Sequence, residues 1–252
     1  MTDVDFVNRT VLVTGGSRGI GRACCERLAK AGANVVINYH SHQEDALETN
    51  QRVEASGAKG MVIQADVTDQ ESVTAMISSA QDHFGTIDML VNNAGIFEYL
   101  APEKLMLDHW KRMIDVNLTG SYIVTWAVKE QMVQQEFGRI VNVSSIAALS
   151  PRPNGIAYAV SKAGLIAFTQ SASAALISHN IRMNAVAPGL VDTEINADVD
   201  QTVLDRIIDQ TPMNRMGHAN EIADVVYFLL SEQSRFMMGQ TVVASGGRVM
   251  LP

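Results

Sequence analysis

The amino-acid sequence predicts an α/β protein: a doubly wound parallel sheet of seven strands with helices on both faces. Three observations lead there. Short runs rich in apolar and β-branched residues alternate along the chain with longer stretches of helical periodicity. Most of these runs are apolar throughout and do not alternate with polar residues, as expected of strands buried on both faces. The first run leads through a glycine-rich loop into the first helix, the arrangement that meets phosphate groups in open parallel sheets.

The elements follow in order. Thr10-Val11-Leu12-Val13-Thr14 is the first strand, followed by a helix over residues 19–31. Val35-Val36-Ile37-Asn38-Tyr39 is the second, followed by a polar helix over 43–55. Gly60-Met61-Val62-Ile63-Gln64-Ala65 is the third, with a helix over 71–84. Met89-Leu90-Val91-Asn92 is the fourth, and two helices follow, over 105–116 and 121–135. Arg139-Ile140-Val141-Asn142-Val143 leads to a helix over 157–178. Arg182-Met183-Asn184-Ala185-Val186 leads to helices over 201–209 and 220–230, and Thr241-Val242-Val243-Ala244 closes the series. One domain over residues 1–252 is expected, and its ligands belong at the carboxyl ends of the strands.

Composition narrows the function. With 252 residues, 47% of them hydrophobic and 18% charged, the chain suits a globular protein with a large core. No uninterrupted apolar run reaches the roughly 18–20 residues that span a bilayer, so no membrane is expected. The N-terminus, Met1-Thr2-Asp3-Val4-Asp5, is acidic and reads as no signal peptide. The two cysteines, Cys24 and Cys25, are adjacent within a helical pattern, where they are poorly placed to bridge. They read as packing residues in a reducing, cytoplasmic compartment. No Cys/His spacing suggests a metal site. A formal net charge of -8 argues against nucleic acid as a partner.

The loop Thr14-Gly15-Gly16-Ser17-Arg18-Gly19-Ile20-Gly21 follows the first strand. Its glycines permit unusual φ angles and close backbone approach, and the helix N-terminus offers free N–H groups to a pyrophosphate. The spacing Gly15-x-x-x-Gly19-x-Gly21 is not G-x-G-x-x-G, and a tight turn without a ligand is the plain alternative; the place in the first βα unit favours dinucleotide binding. At the tip of the second strand an acid would hydrogen-bond an NAD ribose. Tyr39, His40, Ser41 and His42 stand there instead, while Arg18 projects from the glycine loop. Arg18 with these hydroxyl and imidazole groups suits a 2′-phosphate, so NADP(H) is preferred and NAD(H) stays open. For His42, solvated loop polarity is the better reading. Asp66 is placed to reach the adenine amino group; N-capping the next helix is the competing role, for which Asp69 is better placed.

Tyr158 and Lys162 stand four residues apart, thirteen residues after Ser145. On a helix, positions i and i+4 share a face. A free phenol has a pKa of roughly 10. A cation about 5 Å away, at an effective dielectric of about 20, favours the phenolate by roughly 3 kcal/mol, or about two pKa units. That shift turns Tyr158 into a general acid/base. A surface lysine beside a packed tyrosine is the ordinary alternative for an isolated Y-x-x-x-K.

Together these motifs resemble the short-chain dehydrogenase/reductase family over about residues 9–247. The glycine motif is Thr14 to Gly21; Asn92-Asn93-Ala94-Gly95 matches the family's N-N-A-G; Pro188-Gly189 and Thr193 match its P-G-x-x-x-T segment. Asn117, Ser145, Tyr158 and Lys162 match its catalytic asparagine, serine, tyrosine and lysine in order and spacing. The resemblance implies a Rossmann-type domain, a nicotinamide cofactor and a homo-oligomer, a tetramer before a dimer. It implies cofactor contacts from Gly15, Ser17, Arg18, Gly19, Ile20, Gly21, Tyr39, His40, Ser41, Asp66, Val67, Asn93, Ala94, Gly95, Tyr158, Lys162, Pro188, Gly189, Val191 and Thr193. On this basis Ser145 should hydrogen-bond the substrate oxygen and Ser144 is a loop residue. Tyr158 should pass the proton. Lys162 should lower the Tyr158 pKa and hold the nicotinamide ribose. Asn117 should hold a water that feeds protons to Lys162, a local helix kink being the plainer reading.

The expected substrate is a small-molecule carbonyl or secondary alcohol. Residues 190–215 form the expected substrate lid, whose acids Asp192, Glu194, Asp198, Asp200, Asp205 and Asp209 argue mildly against strongly anionic substrates. Phe97, Tyr99, Leu100, Ala147, Leu149 and Ile156 suit an apolar wall, and ordinary packing suits them equally. The chain resembles both 3-oxoacyl-carrier-protein reductase-like and glucose 1-dehydrogenase-like members. Glu136 and His179 stand where the carrier-protein reductases typically place basic residues, which counts against carrier docking. A 3-oxoacyl thioester reductase, a sugar or polyol dehydrogenase and a non-catalytic dinucleotide sensor are the alternatives; the intact Ser145, Tyr158 and Lys162 count against the last. Ser245-Gly246-Gly247 stands where the family often has Asp-Gly-Gly.

Overall fold

The computed structural model describes residues 6–197 and 199–250. The N-terminal segment 1–5, the lid acid Asp198 and Leu251-Pro252 lie outside the described residues. The seven strands are β1 (Thr10–Val13), β2 (Asn34–Tyr39), β3 (Gly60–Gln64), β4 (Met89–Asn92), β5 (Gly138–Val143), β6 (Ile181–Pro188) and β7 (Thr241–Ala244). They form one sheet in the order β3-β2-β1-β4-β5-β6-β7, with every neighbouring pair parallel. The strand order reverses between β1 and β4, which opens a crevice at their carboxyl ends.

Successive strand residues face opposite sides, and each side has its own core. On one side Val11, Val13, Val35 and Ile37 pack with Leu28 of α1 (Gly19–Lys30), Val53 of α2 (Gln43–Ala55) and Val226 of α8 (Ala219–Leu230). On the other, Leu12 and Val36 pack with Met76 of α3 (Gln70–Phe84), Val128 of α5 (Gly120–Gln134) and Leu176 of α6 (Ile156–Leu176). Burial on both faces is why the strands read as continuous apolar runs. Cys24 and Cys25 belong to the first core, both fully buried, and burial pushes the Cys24 thiol up to about 12. That agrees with a packing role.

One connection differs from the expected pair of separate helices over 105–116 and 121–135. Helix α4 (Leu107–Ile114) runs through a π turn at Asp115–Thr119 straight into α5, with no loop between them. A π turn inserts an extra residue into the helical ladder and is frequent at functional sites. Asn117 occupies it, fully buried. Helix α6 also departs from expectation. With its flanking turns, Pro153–His179 is long and apolar enough to cross a membrane by length and composition. Averaged hydropathy registers what an uninterrupted run misses, because Lys162 and several serines break the run. In the fold, Leu165, Thr169, Ala172 and Leu176 of α6 are buried, and the helix lies against β6 and α4.

Candidate active site

The sheet's carboxyl edge is tied together by side chains. Thr14 leaves β1, and its Oγ1 accepts hydrogen bonds from the Asn93 and Ala94 amides at 3.0 and 3.1 Å. In return Asn93 Nδ2 donates to the carbonyls of Thr14 and Gly15, both at 3.0 Å. These bonds join the loops after β1 and β4 across the point where strand order reverses. Asn38, at the tip of β2, accepts from the Gly15 amide at 3.3 Å and donates to the Ala65 carbonyl at 3.1 Å, which draws in the tip of β3.

The glycine loop is shaped by what cannot fit there. Gly15 has a φ of +61°, and a Cβ on Gly21 would lie 2.1 Å from the Gly15 carbonyl oxygen. Helix α1 can therefore start against the loop only with glycine at 21. No side chain caps the first turn of α1, so its leading N–H groups have no side-chain acceptor. Arg18 precedes that turn, and no hydrogen bond or ion pair engages its side chain among the described residues. Its neighbour Arg22 is fully engaged with Ser17, Thr49, Asp45 and Glu48. Thr193 lies over the loop, its methyl 3.2 Å from where a Gly19 Cβ would stand.

At the tip of β2, Tyr39 is buried while His40 and Ser41 are exposed. Asp66 Oδ1 accepts from the Thr68 amide and hydroxyl, both at 2.8 Å, and His40 Nε2 lies 3.7 Å from Oδ2. Burial raises the Asp66 carboxyl, but the two Thr68 bonds outweigh it and hold the group below its usual pKa. Asp69, not Asp66, caps α3 through the Glu71 amide at 2.9 Å. His42 sits 3.7 Å from Asp45 on the surface, in keeping with solvated polarity.

A cleft of about 460 Å³ opens over the ends of β4, β5 and β6. Ile20, Asn93, Gly95, Ser145, Tyr158, Lys162, Pro188, Gly189, Val191 and Thr193 all line it. Ser145 caps a short 3₁₀ turn by accepting from the Ala147 amide at 3.1 Å, and its hydroxyl favours the ionised form of the Tyr158 phenol, which lines the same cleft. The Tyr158 ring packs edge-on against Phe97, centroids 4.9 Å apart. Lys162 is buried, with Nζ donating to the Val143 carbonyl at 2.8 Å and standing 5.9 Å from the Tyr158 ring centre. Ser144, which also lines the cleft, donates to the Lys162 carbonyl at 2.9 Å.

Two electrostatic expectations change. Burial raises the Tyr158 phenol above its usual value, against the opposing pull of the Ser145 hydroxyl and the Arg152 charge. The anticipated lowering by Lys162 does not govern, because burial also pulls Lys162 down, from 10.5 to about 8. The Asn117 side-chain amide is engaged by protein groups. Its Oδ1 accepts from the Ile96 amide at 2.8 Å, and its Nδ2 donates to the Ile96 carbonyl at 3.0 Å and to Ser161 Oγ at 3.1 Å. Ser161 Oγ donates in turn to the Tyr158 carbonyl at 2.7 Å. The amide therefore clamps protein to protein, joining the loop after β4 to the helix that carries Tyr158.

Residues 15–248 match the family described as enoyl-(acyl carrier protein) reductase. Glucose 1-dehydrogenase 2 of Bacillus subtilis (strain 168) is 36% identical over 251 residues, 98% of this chain and 97% of that protein. The chain belongs to the short-chain dehydrogenase/reductase family. A 3-oxoacyl-(acyl-carrier-protein) reductase, FabG, of Staphylococcus epidermidis is likewise 36% identical, over 97% of this chain and 100% of that one. Among solved structures, that of gox2181 superposes with a TM-score of 0.94 at 34% identity, covering 98% of both chains. As a short-chain dehydrogenase/reductase, the protein is an NAD(P)-dependent oxidoreductase acting on carbonyl or CH–OH groups of small molecules. The uncapped α1 terminus and the Cβ-free approach of Gly15 and Gly21 fit a dinucleotide pyrophosphate.

Sequence reasoning placed the motif residues but not all that surrounds them. Phe97, Tyr99 and Ala147 line the cleft; Leu100, Leu149 and Ile156 do not. Asn38, Ser161, Arg152 and Arg248 went unnoticed as site residues. Asn38 had a signal, an amide ending an apolar strand, whereas the others meet only through tertiary packing. The acids of the lid also mislead. Asp192, Glu194, Asp200, Asp205 and Asp209 are exposed, and no carboxylate lines the cleft among the described residues.

Proposed function

We propose that the protein is an NADP(H)-preferring oxidoreductase that interconverts a carbonyl and a secondary alcohol, with Tyr158 as general acid/base. The observation that carries this reading is that Ser145 and Tyr158 line one cleft wall with Lys162 buried alongside, its Nζ 5.9 Å from the Tyr158 ring centre. The raised pKa keeps the phenol protonated at neutral pH, ready to act as an acid in carbonyl reduction. Ser145 holds the carbonyl oxygen beside that proton. Charged below about pH 8, Lys162 stabilises the phenolate that forms. Asn117 positions Tyr158 through Ser161. A bound nicotinamide supplies the hydride in reduction and accepts it in oxidation.

The preference for NADP(H) is supported by Arg18, exposed enough to reach a 2′-phosphate, and by the absence of a carboxylate at the tip of β2. The relatives' names, glucose dehydrogenase and 3-oxoacyl reductase, differ in substrate and support the shared carbonyl–alcohol chemistry. A homo-oligomer, tetrameric before dimeric, is supported by exposed aromatic surface on α5 and α6. A cytoplasmic setting is supported by two thiols that are buried and unbridged.

The test is a panel of aldehydes and ketones with NADPH, scoring both nicotinamide oxidation and alcohol formed. The wild type should give equal amounts of each. Tyr158→Phe should lower turnover about 10²–10⁴-fold and leave NADPH binding within about twofold. Near-wild-type turnover by that variant would sink the assignment of Tyr158, and product without net redox change would sink the reaction class.

A further inference from the structure

The charged groups that line the cleft are Arg152, Lys162, Arg206 and Arg248, all cationic, in a chain whose formal net charge is -8. Lys162 belongs to the proton-transfer machinery; the three arginines have no place in it. They come from three separate segments. Arg152 lies in the loop between β5 and α6, Arg206 on α7 (Gln201–Asp209) and Arg248 in the segment after β7. Arg248 is fixed, with Nη1 donating to the Ile207 carbonyl at 2.8 Å and Nη2 to Gln210 Oε1 at 3.0 Å. That anchor joins the C-terminal segment to the lid helix. Among the described residues no carboxylate lies within ion-pair distance of Arg152, Arg206 or Arg248.

The arginines also feel one another. Burial lowers Arg248, and the charges of Arg152 and Arg206 lower it further. Burial lowers Arg152 as well, while Tyr158 opposes that shift, which places Arg152 near the proton donor. Three guanidinium groups on one cleft, without a counter-ion among the described residues, mark a site that an anion would complete. The lining around them, Phe97, Ile195, Val199, Val203 and Ile207, is apolar and suits a carbon chain. The arginines lie on the substrate side, since the glycine loop and Arg18 serve the dinucleotide phosphates.

We propose that the substrate carries a carboxylate: the cleft takes oxo acids and returns hydroxy acids, the carboxylate seated among Arg152, Arg206 and Arg248 and the ketone at Ser145 and Tyr158. This rests on the carbonyl–alcohol reading given above. In the step, the carbonyl carbon gains a hydride and its oxygen gains the Tyr158 proton, giving a secondary alcohol as the reduced nicotinamide becomes oxidised. Tyr158 is then reprotonated from solvent. The acidic lid had argued against anions, but its described acids Asp192, Glu194, Asp200, Asp205 and Asp209 are exposed and do not line the cleft, which stays cationic.

The test compares 2-oxohexanoate, 3-oxohexanoate, 4-oxopentanoate and 5-oxohexanoate with the methyl ester of each, under NADPH, in the full-length protein. At least one acid should exceed its ester in kcat/KM by about tenfold to a hundredfold, the range expected of charge-assisted hydrogen bonds. The chain length of the preferred acid reports the span from Tyr158 to the arginines. Arg206→Gln and Arg152→Gln should each bring the acid-to-ester ratio toward one. Because the ratio is internal to each variant, a general loss of folded protein does not change it. Esters that match or exceed their acids at every length would overturn the proposal while leaving carbonyl reduction intact, as would a ratio unchanged in both variants. No turnover of acids or esters would instead count against the carbonyl–alcohol reading, and the proposal falls with it.

Discussion

Lys162 is held in a state that works against the fold. Its ammonium is buried with one hydrogen bond, to the Val143 carbonyl, and burial lowers its pKa from 10.5 to about 8. A shift of that size corresponds to about 3 kcal/mol, an order-of-magnitude figure. The sign follows from proton binding: the folded chain holds this proton more weakly than the unfolded chain. Below about pH 8 both states are protonated and the folded state bears the full burial penalty. Between about 8 and 10.5 the folded Lys162 is already neutral, so that penalty lifts as pH rises. Lys162→Met has no such proton. Denaturant unfolding of both proteins at pH 7.5 and pH 10 should show the wild type gaining up to about 3 kcal/mol on the variant. Parallel pH profiles would show that Lys162 is not destabilised by burial. Stability given up at a reacting centre accords with a functional role for this lysine.

At the scale of elements, the glycine loop and the π turn show what could be read in advance and what could not. Strands and helices were legible because burial on both faces gives β1, β2 and β4 an apolar run, and because helical periodicity resumes after each. Gly15, Gly19 and Gly21 were legible as a tight loop between a strand and a helix, the place suited to a phosphate, because their spacing sits at that junction. The π turn was not, since nothing in Asp115-Val116-Asn117-Leu118-Thr119 distinguishes an inserted residue from a break between helices. Asn117, at a helix position where asparagine is not favoured, was the available hint, and it falls within the π turn. The arginine cluster was illegible because residues 152, 206 and 248 meet only in three dimensions. Arg18 carries the testable consequence of the loop. Without a partner among the described residues, it gains a charge-assisted pair with an added phosphate. Arg18→Ala should weaken NADPH binding about tenfold or more and leave NADH little changed, as read by fluorescence titration. Equal affinity of the wild type for both cofactors would refute the preference.

Across the whole molecule, apolar surface remains where the sheet's outer layer should meet water. Tyr122 and Trp126 of α5 lie 4.8 Å apart by ring centroid, with Phe168 of α6 at 6.2 and 5.9 Å from them. Tyr122 is 44% exposed, and Val160, on α6, is 42% exposed. Aromatic side chains grouped on an open helix face are typical of contacts between subunits. The same two helices carry the proposed chemistry: α5 continues from the Asn117 turn and α6 bears Tyr158 and Lys162. Covering them with a second copy would stiffen the frame on which the Ser145–Tyr158–Lys162 geometry depends. Light scattering after size exclusion should therefore give a multiple of the 27.3 kDa chain. The double substitution Tyr122→Asp and Phe168→Asp, which places like charges on that face, should shift the protein to a smaller species. Turnover per chain should fall with the same substitution, because freeing α5 and α6 loosens the helix under the proton donor. A wild type that elutes as the single chain would remove the interface, and full turnover by a dissociated variant would separate assembly from catalysis.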